Sequence, residues 1–170
     1  MNERIHLPPN YSDVPKGKSL VFLAGPIQGS PDWQTETAIK MTNYIDDLHV
    51  ASPRRIEEGK DFDYKQQITW EKAHLRRSRE LGVIMFWFAG QDMALEYEAG
   101  RSYAQTTRIE IGRAFGWHDA KPFPLVIGFD PQYTENGGGS ERYIRAMAQE
   151  SQIPVLDSLE DTIDQVLMAA

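Results

Sequence analysis

Glu110 is the residue of this sequence whose type and position are best suited to covalent chemistry. It lies in residues 106–114 (TTRIEIGRA), whose periodicity predicts the first turn of a helix that follows an apolar strand. The electropositive end of a helix would favour an ionised carboxylate, ready for nucleophilic attack. Thr107 and Glu110 also fit a capping box, in which the glutamate only satisfies a backbone donor. The residues alone give the two interpretations similar weight.

Glu71 provides a second carboxyl group, in another predicted helix. It lies three residues before His74, so both side chains would share one helical face and could hold a substrate base or hydroxyl. The charged run 71–77 (EKAHLRR) is also typical of a solvated surface, and spacing alone favours that second interpretation.

A glycine-containing segment, residues 25–30 (GPIQGS), directly follows the first apolar run. Its spacing matches neither a dinucleotide-binding fingerprint nor a Walker loop. The pattern favours a tight connection between a strand and a helix, but Gly25, Pro26 and Ile27 could also form a floor where the backbone approaches a sugar closely. Trp33 could stack on a ring, although a tryptophan that opens an amphipathic helix more often anchors a core.

Arg54 and Arg55 follow the second apolar segment. Paired arginines at such an edge can fork onto a phosphate or a carboxylate. The alternative is a solvated pair, or internal salt bridges to Glu57 and Glu58, which the motif by itself slightly favours.

The elements that must position these residues follow from five apolar segments, which predict strands at 19–24, 49–51, 82–88, 124–129 and 153–156. Helical periodicity or capping signals predict helices at 33–48, around 68–75, and at 107–118, 140–150 and 158–168, with Ser140 capping the fourth after a glycine loop. Alternating strands and helices predict a flavodoxin-like α/β fold, a doubly wound five-stranded parallel sheet with helices on both faces. In such sheets the ligand lies beyond the carboxyl ends of the strands, where the strand order reverses.

Length and composition limit the organisation and the partners. The chain has 170 residues, of which 41% are hydrophobic, so we expect an irregular leader over 1–17 and one domain over 18–170. A net charge of -7 argues against nucleic acid as a partner, because phosphate backbones require a basic face. The sequence has no apolar run of about 20 residues and no signal-peptide core, so we expect a cytoplasmic protein without a membrane span.

Metal and thiol chemistry are not expected. The sequence has no cysteine, which excludes disulfides and thiolate nucleophiles. The four histidines are scattered without metal-ligand spacing, at His6, His49, His74 and His118.

Five segments, in order along residues 20–130, resemble the nucleoside 2-deoxyribosyltransferase-like family: 23–27 (LAGPI), 53–55 (PRR), 67–71 (QITWE), 84–88 (IMFWF) and 108–114 (RIEIGRA). The resemblance implies a five-stranded flavodoxin-like sheet, and a transferase or glycosidase of nucleotide metabolism that acts on the N-glycosidic bond of a nucleoside or nucleotide. It implies no cofactor. It places the nucleophile on Glu110 and a hydrogen-bonding or proton-shuttling role on Glu71. It further implies that Trp70 or Trp87 forms an apolar wall for the base.

The resemblance also implies a homodimer or larger homo-oligomer whose neighbouring chain helps to close the site. The many aromatic residues between Trp70 and Trp117 point the same way, since aromatics are favoured in buried interface centres. The alternative is that these aromatics pack inside their own chain.

Some positions depart from the family pattern. The family's loop aspartate, six residues before the nucleophile, is Ala104 here, and the loop 89–106 is longer, with Asp92, Glu96 and Glu98 as available acids and Ser102 as a candidate for phosphate. The alternative function is a catalytically silent domain that binds a nucleotide or nucleotide-sugar, and a weaker one is a structural domain that mediates assembly. The discriminating feature is whether Glu110 reaches the pocket beside a second carboxyl group or turns back onto its helix end.

Overall fold

The computed structural model of the chain describes residues 2–10, 14–55, 63–95, 97 and 100–170, and of residues 134–139 it describes the backbone. In these ranges the strands are β1 (Ile5–His6), β2 (Leu20–Ala24), β3 (His49–Ala51), β4 (Gly82–Phe88), β5 (Leu125–Phe129) and β6 (Val155–Leu156). The helices are α1 (Trp33–Tyr44), α2 (Tyr64–Leu81), α3 (Gln105–Ala120), α4 (Thr134–Glu150) and α5 (Leu159–Ala169).

The strands form one sheet in the order β1-β3-β2-β4-β5-β6, and every neighbouring pair is parallel. The five strands from β2 onward have the flavodoxin-like order, so the predicted α/β sheet is confirmed. The sixth strand, β1, comes from the segment expected to be irregular: Ile5 and His6 lie opposite Val50 and Ala51. Two residues among prolines give too short a pattern to predict a strand.

Both faces of the sheet are covered, which explains why the strands are apolar without alternation. Leu20, Phe22 and Ala24 of β2 face the core formed with α2, α3 and α4. Val21 and Leu23 face the opposite core, formed with α1 and α5. The doubly wound arrangement therefore brings α2 and α3 to the same face of the sheet.

The start of α3 differs from the prediction. The helix begins at Gln105, and its N-cap is Ala104, which has a left-handed backbone (φ 54°) and makes no side-chain capping bond. Thr107 is therefore already inside the helix, and Glu110 lies in its second turn. The capping box between Thr107 and Glu110 is wrong, since a capping box requires its first residue at the N-cap.

The start of α4 differs as well. The helix begins at Thr134 and runs through Gly137, Gly138 and Gly139, so Ser140 is not its N-cap. The Ser140 hydroxyl instead lies 3.2 Å from the hydroxyl of Tyr133. The glycine run predicts a loop because glycine lowers helix propensity, but glycine does not forbid the helical conformation.

The longest helix, α2, has 18 residues and turns a mostly polar face outward, with five buried residues: Gln67, Trp70, His74, Leu75 and Ser78. Asp63 caps it by accepting bonds from the backbone N–H groups of Lys65 and Gln66. Within the described ranges, no helix has the length and apolarity that crossing a membrane would need.

Three of the histidines that are scattered in the sequence meet at the β1 edge of the sheet. The Nε2 atom of His6 lies 2.9 Å from Nδ1 of His49, and the His6 and His74 ring centroids are 6.2 Å apart. Burial, with repulsion from His49 and His74, lowers the pKa of His6 to about 4. Burial also lowers the pKa of His49 and of His74.

This cluster predicts acid sensitivity. Between the ordinary histidine pKa of 6.5 and about 4, the unfolded chain binds a proton at His6 that the folded chain does not. The free energy of unfolding should therefore fall as the pH drops through this window, on the order of 2–3 kcal/mol from His6 alone. Urea unfolding of the wild type and of His6→Gln at pH 7.5, 6 and 4.5 measures it, and the difference between the two proteins isolates His6 from other titrating groups. Parallel pH dependences would contradict the prediction.

Candidate active site

A cavity of about 500 Å³ lies beyond the carboxyl ends of β2 and β3, next to the point where the strand order reverses. This is the position expected for a ligand in a doubly wound sheet, and the volume is in the range of small-molecule sites. Its walls come from the segments after β2 and β3, from α2, from the loop before α3 and from α3: Gly25, Pro26, Ile27, Pro53, Arg55, Gln67, Glu71, Ala104, Glu110, Arg113 and Trp117 are among the lining residues.

Two carboxyl groups from different helices line this cavity. Burial raises the pKa of Glu110 to about 8; repulsion from Glu71 adds to the rise, and Arg113 opposes it. Burial also raises the pKa of Glu71, while a hydrogen bond from Gln67 and the charge of Arg55 oppose the rise. The expectation of a carboxylate held ionised by a helix end is therefore corrected, because Glu110 lies in the second turn and is poorly solvated. A pair that retains a proton near neutral pH is suited to acid–base work.

Gln67 fixes the orientation of Glu71. Its Nε2 donates to Oε1 of Glu71 (2.8 Å) and to the carbonyl of Pro53 (3.0 Å), while its Oε1 accepts from Nε of Arg55 (2.9 Å). A guanidinium only donates and a carbonyl only accepts, so these partners determine which way the amide points. The sequence analysis did not single out Gln67, although its i,i+4 spacing to Glu71 was a signal for such a bond.

Gly25 forms the floor of the cavity at a point of close packing. A Cβ atom at this position would lie 2.3 Å from the carbonyl oxygen of Trp87 and 2.5 Å from Cζ2 of Trp33. Trp33 packs beneath the floor in the α1/α5 core, and its indole N–H donates to the carbonyl of Pro26 (3.2 Å). Gly25, Pro26 and Ile27 line the cavity as expected of a floor, whereas Trp33 is a core anchor rather than a stacking platform.

The two arginines after β3 are separated by the structure. The Nη2 of Arg54 donates to the carbonyls of Ile27 (3.2 Å) and Pro31 (3.1 Å), and its Nε lies 3.1 Å from Asp32. Arg54 therefore braces the segment after β2 and is absent from the cavity lining, which corrects its expected ligand-binding role. Arg55 does line the cavity. The proposed partners Glu57 and Glu58 lie outside the residues that the structure describes.

Trp70, His74 and Trp87 were expected at the pocket and lie elsewhere. Trp70 is fully buried, donates from its indole N–H to the carbonyl of Asn10 (2.8 Å) and stacks on His74 with centroids 4.0 Å apart. Adjacent helical residues point about 100° apart, so Glu71 faces the cavity while Trp70 turns to the sheet. Trp87 lies in the α1/α5 core, on the opposite face.

The loop before α3 lies at the cavity, as its place after a strand predicts, and contributes Tyr97, which the sequence did not indicate. Tyr97 lines the cavity, and its hydroxyl donates to the carbonyl of Ser102 (2.9 Å). Ser102 itself is exposed and is not among the lining residues, whereas Ala104, at the position of the family's aspartate, lines the cavity. Glu96 and Glu98 lie outside the described part of the chain.

Arg113 and Trp117 are two further lining residues that the sequence analysis missed. They follow Glu110 by three and seven positions, which places all three on one face of α3. The sequence signal that could have identified them is their i+3 and i+7 spacing from Glu110 in a predicted helix.

The aromatic residues that suggested an interface pack inside the chain. Phe86, Phe88 and Phe115 are fully buried, Trp87 is 3% exposed, and Trp117 is half-buried at the cavity. Their number therefore no longer argues for assembly, and the homo-oligomer stays a prediction that rests on the family resemblance. No group of three or more histidine, aspartate or glutamate side chains in the described residues is arranged to hold a metal ion.

Comparison with known proteins gives one family. A family model described as "Nucleoside 2-deoxyribosyltransferase like" matches residues 18–115, more than half of the 170 residues. The matched segment runs from just before β2 into α3 and so contains Gly25, Arg55, Glu71 and Glu110. No curated protein gives a significant match.

Proposed function

Since the chain belongs to the nucleoside 2-deoxyribosyltransferase-like family, we propose that it cleaves or transfers at the N-glycosidic bond of a nucleoside or nucleotide. Glu110 is the nucleophile in this proposal, and Glu71 is the carboxyl group that carries the proton. The observation that carries it is the convergence of both side chains, from α3 and α2, on one cavity of suitable size. A silent binding domain would need the cavity but would have no use for two poorly solvated carboxyl groups.

The reaction has two steps. A carboxylate oxygen of Glu110 attacks the anomeric carbon, and the electron pair of the carbon–nitrogen bond leaves with the base, which takes up a proton. The resulting glycosyl ester on Glu110 is then opened by water or by a second base, so that configuration is retained over the two displacements.

The proton for the departing base comes from the carboxyl pair. Both pKa values are raised, so the pair retains a proton near neutral pH. With the pKa of Glu110 at about 8 this proton rests on Glu110, and it passes to Glu71 to give the reactive form, in which Glu110 is ionised. The bond from Gln67 occupies Oε1 of Glu71, which leaves its other oxygen to hold the proton. Arg55 acts through Gln67 and is a positioning residue.

A panel assay tests the function. The protein is incubated with nucleosides and nucleotides, with and without a second free base, and released base and new glycosides are separated by chromatography. Release without exchange indicates a hydrolase, and exchange indicates a transferase. Binding without release in the whole panel would favour the silent nucleotide-binding or nucleotide-sugar-binding domain.

The coupling between the two carboxyl groups predicts a shift in the pH profile. Because the reaction needs one proton on the carboxyl pair, kcat/KM should fall as the pH rises through about 8, where Glu110 loses the last proton of the pair. Glu71→Gln removes the like charge, so the pKa of Glu110 should fall and the limb near pH 8 should be lost. The same change removes the proton donor and should lower kcat about 10²-fold or more.

The matched control is Glu80→Gln, an exposed carboxylate on the same helix, which should leave the profile in place. A Glu71→Gln profile with the wild-type limb would mean that the two carboxyl groups do not interact.

A further inference from the structure

A second, smaller cleft of about 170 Å³ adjoins the cavity and is lined by Lys72, Arg76, Arg79, Arg113 and Trp117, which together we call the cationic annex. Three of these residues, Lys72, Arg113 and Trp117, line the main cavity as well. The two spaces are therefore adjacent, and these three side chains lie at the boundary between them.

The side chains of the annex are positioned by their spacing on α2 and by stacking on Trp117. Lys72, Arg76 and Arg79 are spaced i, i+4 and i+7 on α2, so they form one stripe facing α3. The guanidinium carbons of Arg113 and Arg79 lie 4.3 Å and 5.0 Å from the ring centroid of Trp117. Stacking on one indole holds two guanidinium groups while their in-plane N–H groups remain able to donate.

The cations of the annex form no salt bridge in the described residues, although Arg113 lies near enough to Glu110 to oppose the rise of its pKa. In the described part of the chain, none of its four cations lies within salt-bridge distance of a carboxylate. The whole chain has 25 acidic and 18 basic side chains, so the cluster runs against the average charge of the protein. Like charges held together cost free energy, and an anionic ligand would offset that cost.

We propose that the annex is a subsite for phosphate groups and that the substrate is a nucleotide with a pyrophosphate or longer phosphate chain rather than a neutral nucleoside. Arginine forks match phosphate oxygens in pairs. The stripe from Lys72 to Arg79 extends about 10 Å along α2, which is longer than a single phosphate group. Arg113 lies on the same face of α3 as Glu110. It would therefore contact the ligand between the phosphate groups in the annex and the sugar carbon that reacts at Glu110.

This anion subsite lies on α2 and α3, away from the paired arginines that the sequence suggested. Arg54 braces the segment after β2, and Arg55 holds Gln67. The identity of the sugar side rests on the proposed function, whereas the binding of phosphate groups does not.

Calorimetry with inorganic pyrophosphate tests the subsite without any assumption about the base. The wild type should bind pyrophosphate more tightly than inorganic phosphate, and more weakly as ionic strength rises. Arg76→Gln/Arg79→Gln should weaken pyrophosphate binding about 10-fold or more, because it removes two charge-assisted contacts. Lys72→Gln is a second variant, expected to weaken it in the same direction. Arg142→Gln, an exposed arginine on α4, is the charge-matched control and should bind as the wild type does.

Equal pyrophosphate binding by the wild type and by Arg76→Gln/Arg79→Gln, or an equal loss in Arg142→Gln, would overturn the subsite. If pyrophosphate binds as expected but no nucleotide releases a base, the proposed function fails and the subsite stands. If neutral nucleosides release a base and pyrophosphate does not bind, the function stands and the subsite is overturned.

Discussion

Replacing Glu110 with glutamine is expected to abolish base release and, at the same time, to stabilise the protein at neutral and mildly alkaline pH. The nucleophile of a covalent mechanism has no substitute at its position, so the rate should fall about 10³-fold or more. Between the ordinary glutamate pKa of 4.5 and about 8, the unfolded chain ionises Glu110 while the folded chain keeps its proton. The wild type therefore loses stability as the pH rises through this window, and the glutamine variant does not.

Urea unfolding at pH 5 and pH 8, together with the base-release assay, measures both effects. The gain in the free energy of unfolding should be small at pH 5 and about 1–3 kcal/mol at pH 8, the usual cost of burying a poorly compensated polar group. Glu80→Gln should change neither stability nor activity much. Retained activity would remove the nucleophile from the proposal, and a loss of stability would mean that the carboxylate supports the fold after all.

Gly25→Ala is expected to cost about 3 kcal/mol of stability and most of the activity. The added methyl group would lie 2.3 Å from the backbone oxygen of Trp87, so a central strand or the cavity floor must move. Overpacking of a closed core typically costs about 1–3 kcal/mol, and the upper end applies because the nearest atom belongs to the backbone. The floor also carries the carbonyl of Pro26, to which the indole of Trp33 donates.

Gly112→Ala is the matched control for this substitution. Gly112 lies in α3, two residues after Glu110, and a Cβ there meets no atom within 4 Å. Alanine should stabilise the helix by about 0.5–1 kcal/mol. Thermal unfolding of both variants decides the matter: a Gly25→Ala protein as stable as Gly112→Ala would mean that the floor is not tightly packed.

Much of the fold was predictable because both faces of the sheet are covered. Continuous apolar runs such as β4 occur where helices pack on both faces of a sheet. Along the chain these runs alternate with helical segments, as they do in doubly wound proteins. The resemblance to the family, read from five short segments, is confirmed by the match over residues 18–115. The strand β1 was missed because its pairing depends on β3, which is distant in the chain.

The site was predictable in part. Glu110, Glu71 and Arg55 line one cavity as expected, since the ends of parallel strands and the helices after them meet at one edge. Trp70 and Trp87 do not line the cavity. Trp70 is next to Glu71 on a helix and points in another direction, and on a strand such as that of Trp87 successive side chains point to opposite faces of the sheet. The raised pKa of Glu110 could not be read from the sequence either, because it comes from burial and from Glu71 on another helix, and the start of α3 two residues earlier also moves Glu110 out of the first turn.

The all-parallel strand order has a consequence for how the chain folds. Parallel neighbours need a crossover, so no part of the described sheet can begin as a hairpin. The central ladder joins β2 to β4, with Leu20 opposite Gly82, and α1, β3 and α2 all lie between them in the chain. Long-range pairing of this kind slows folding, since loop-closure entropy is lost before the contacts form. During synthesis β2 therefore lacks its partner in the central ladder until β4 emerges, and that apolar edge stays exposed to aggregation or to chaperones until then.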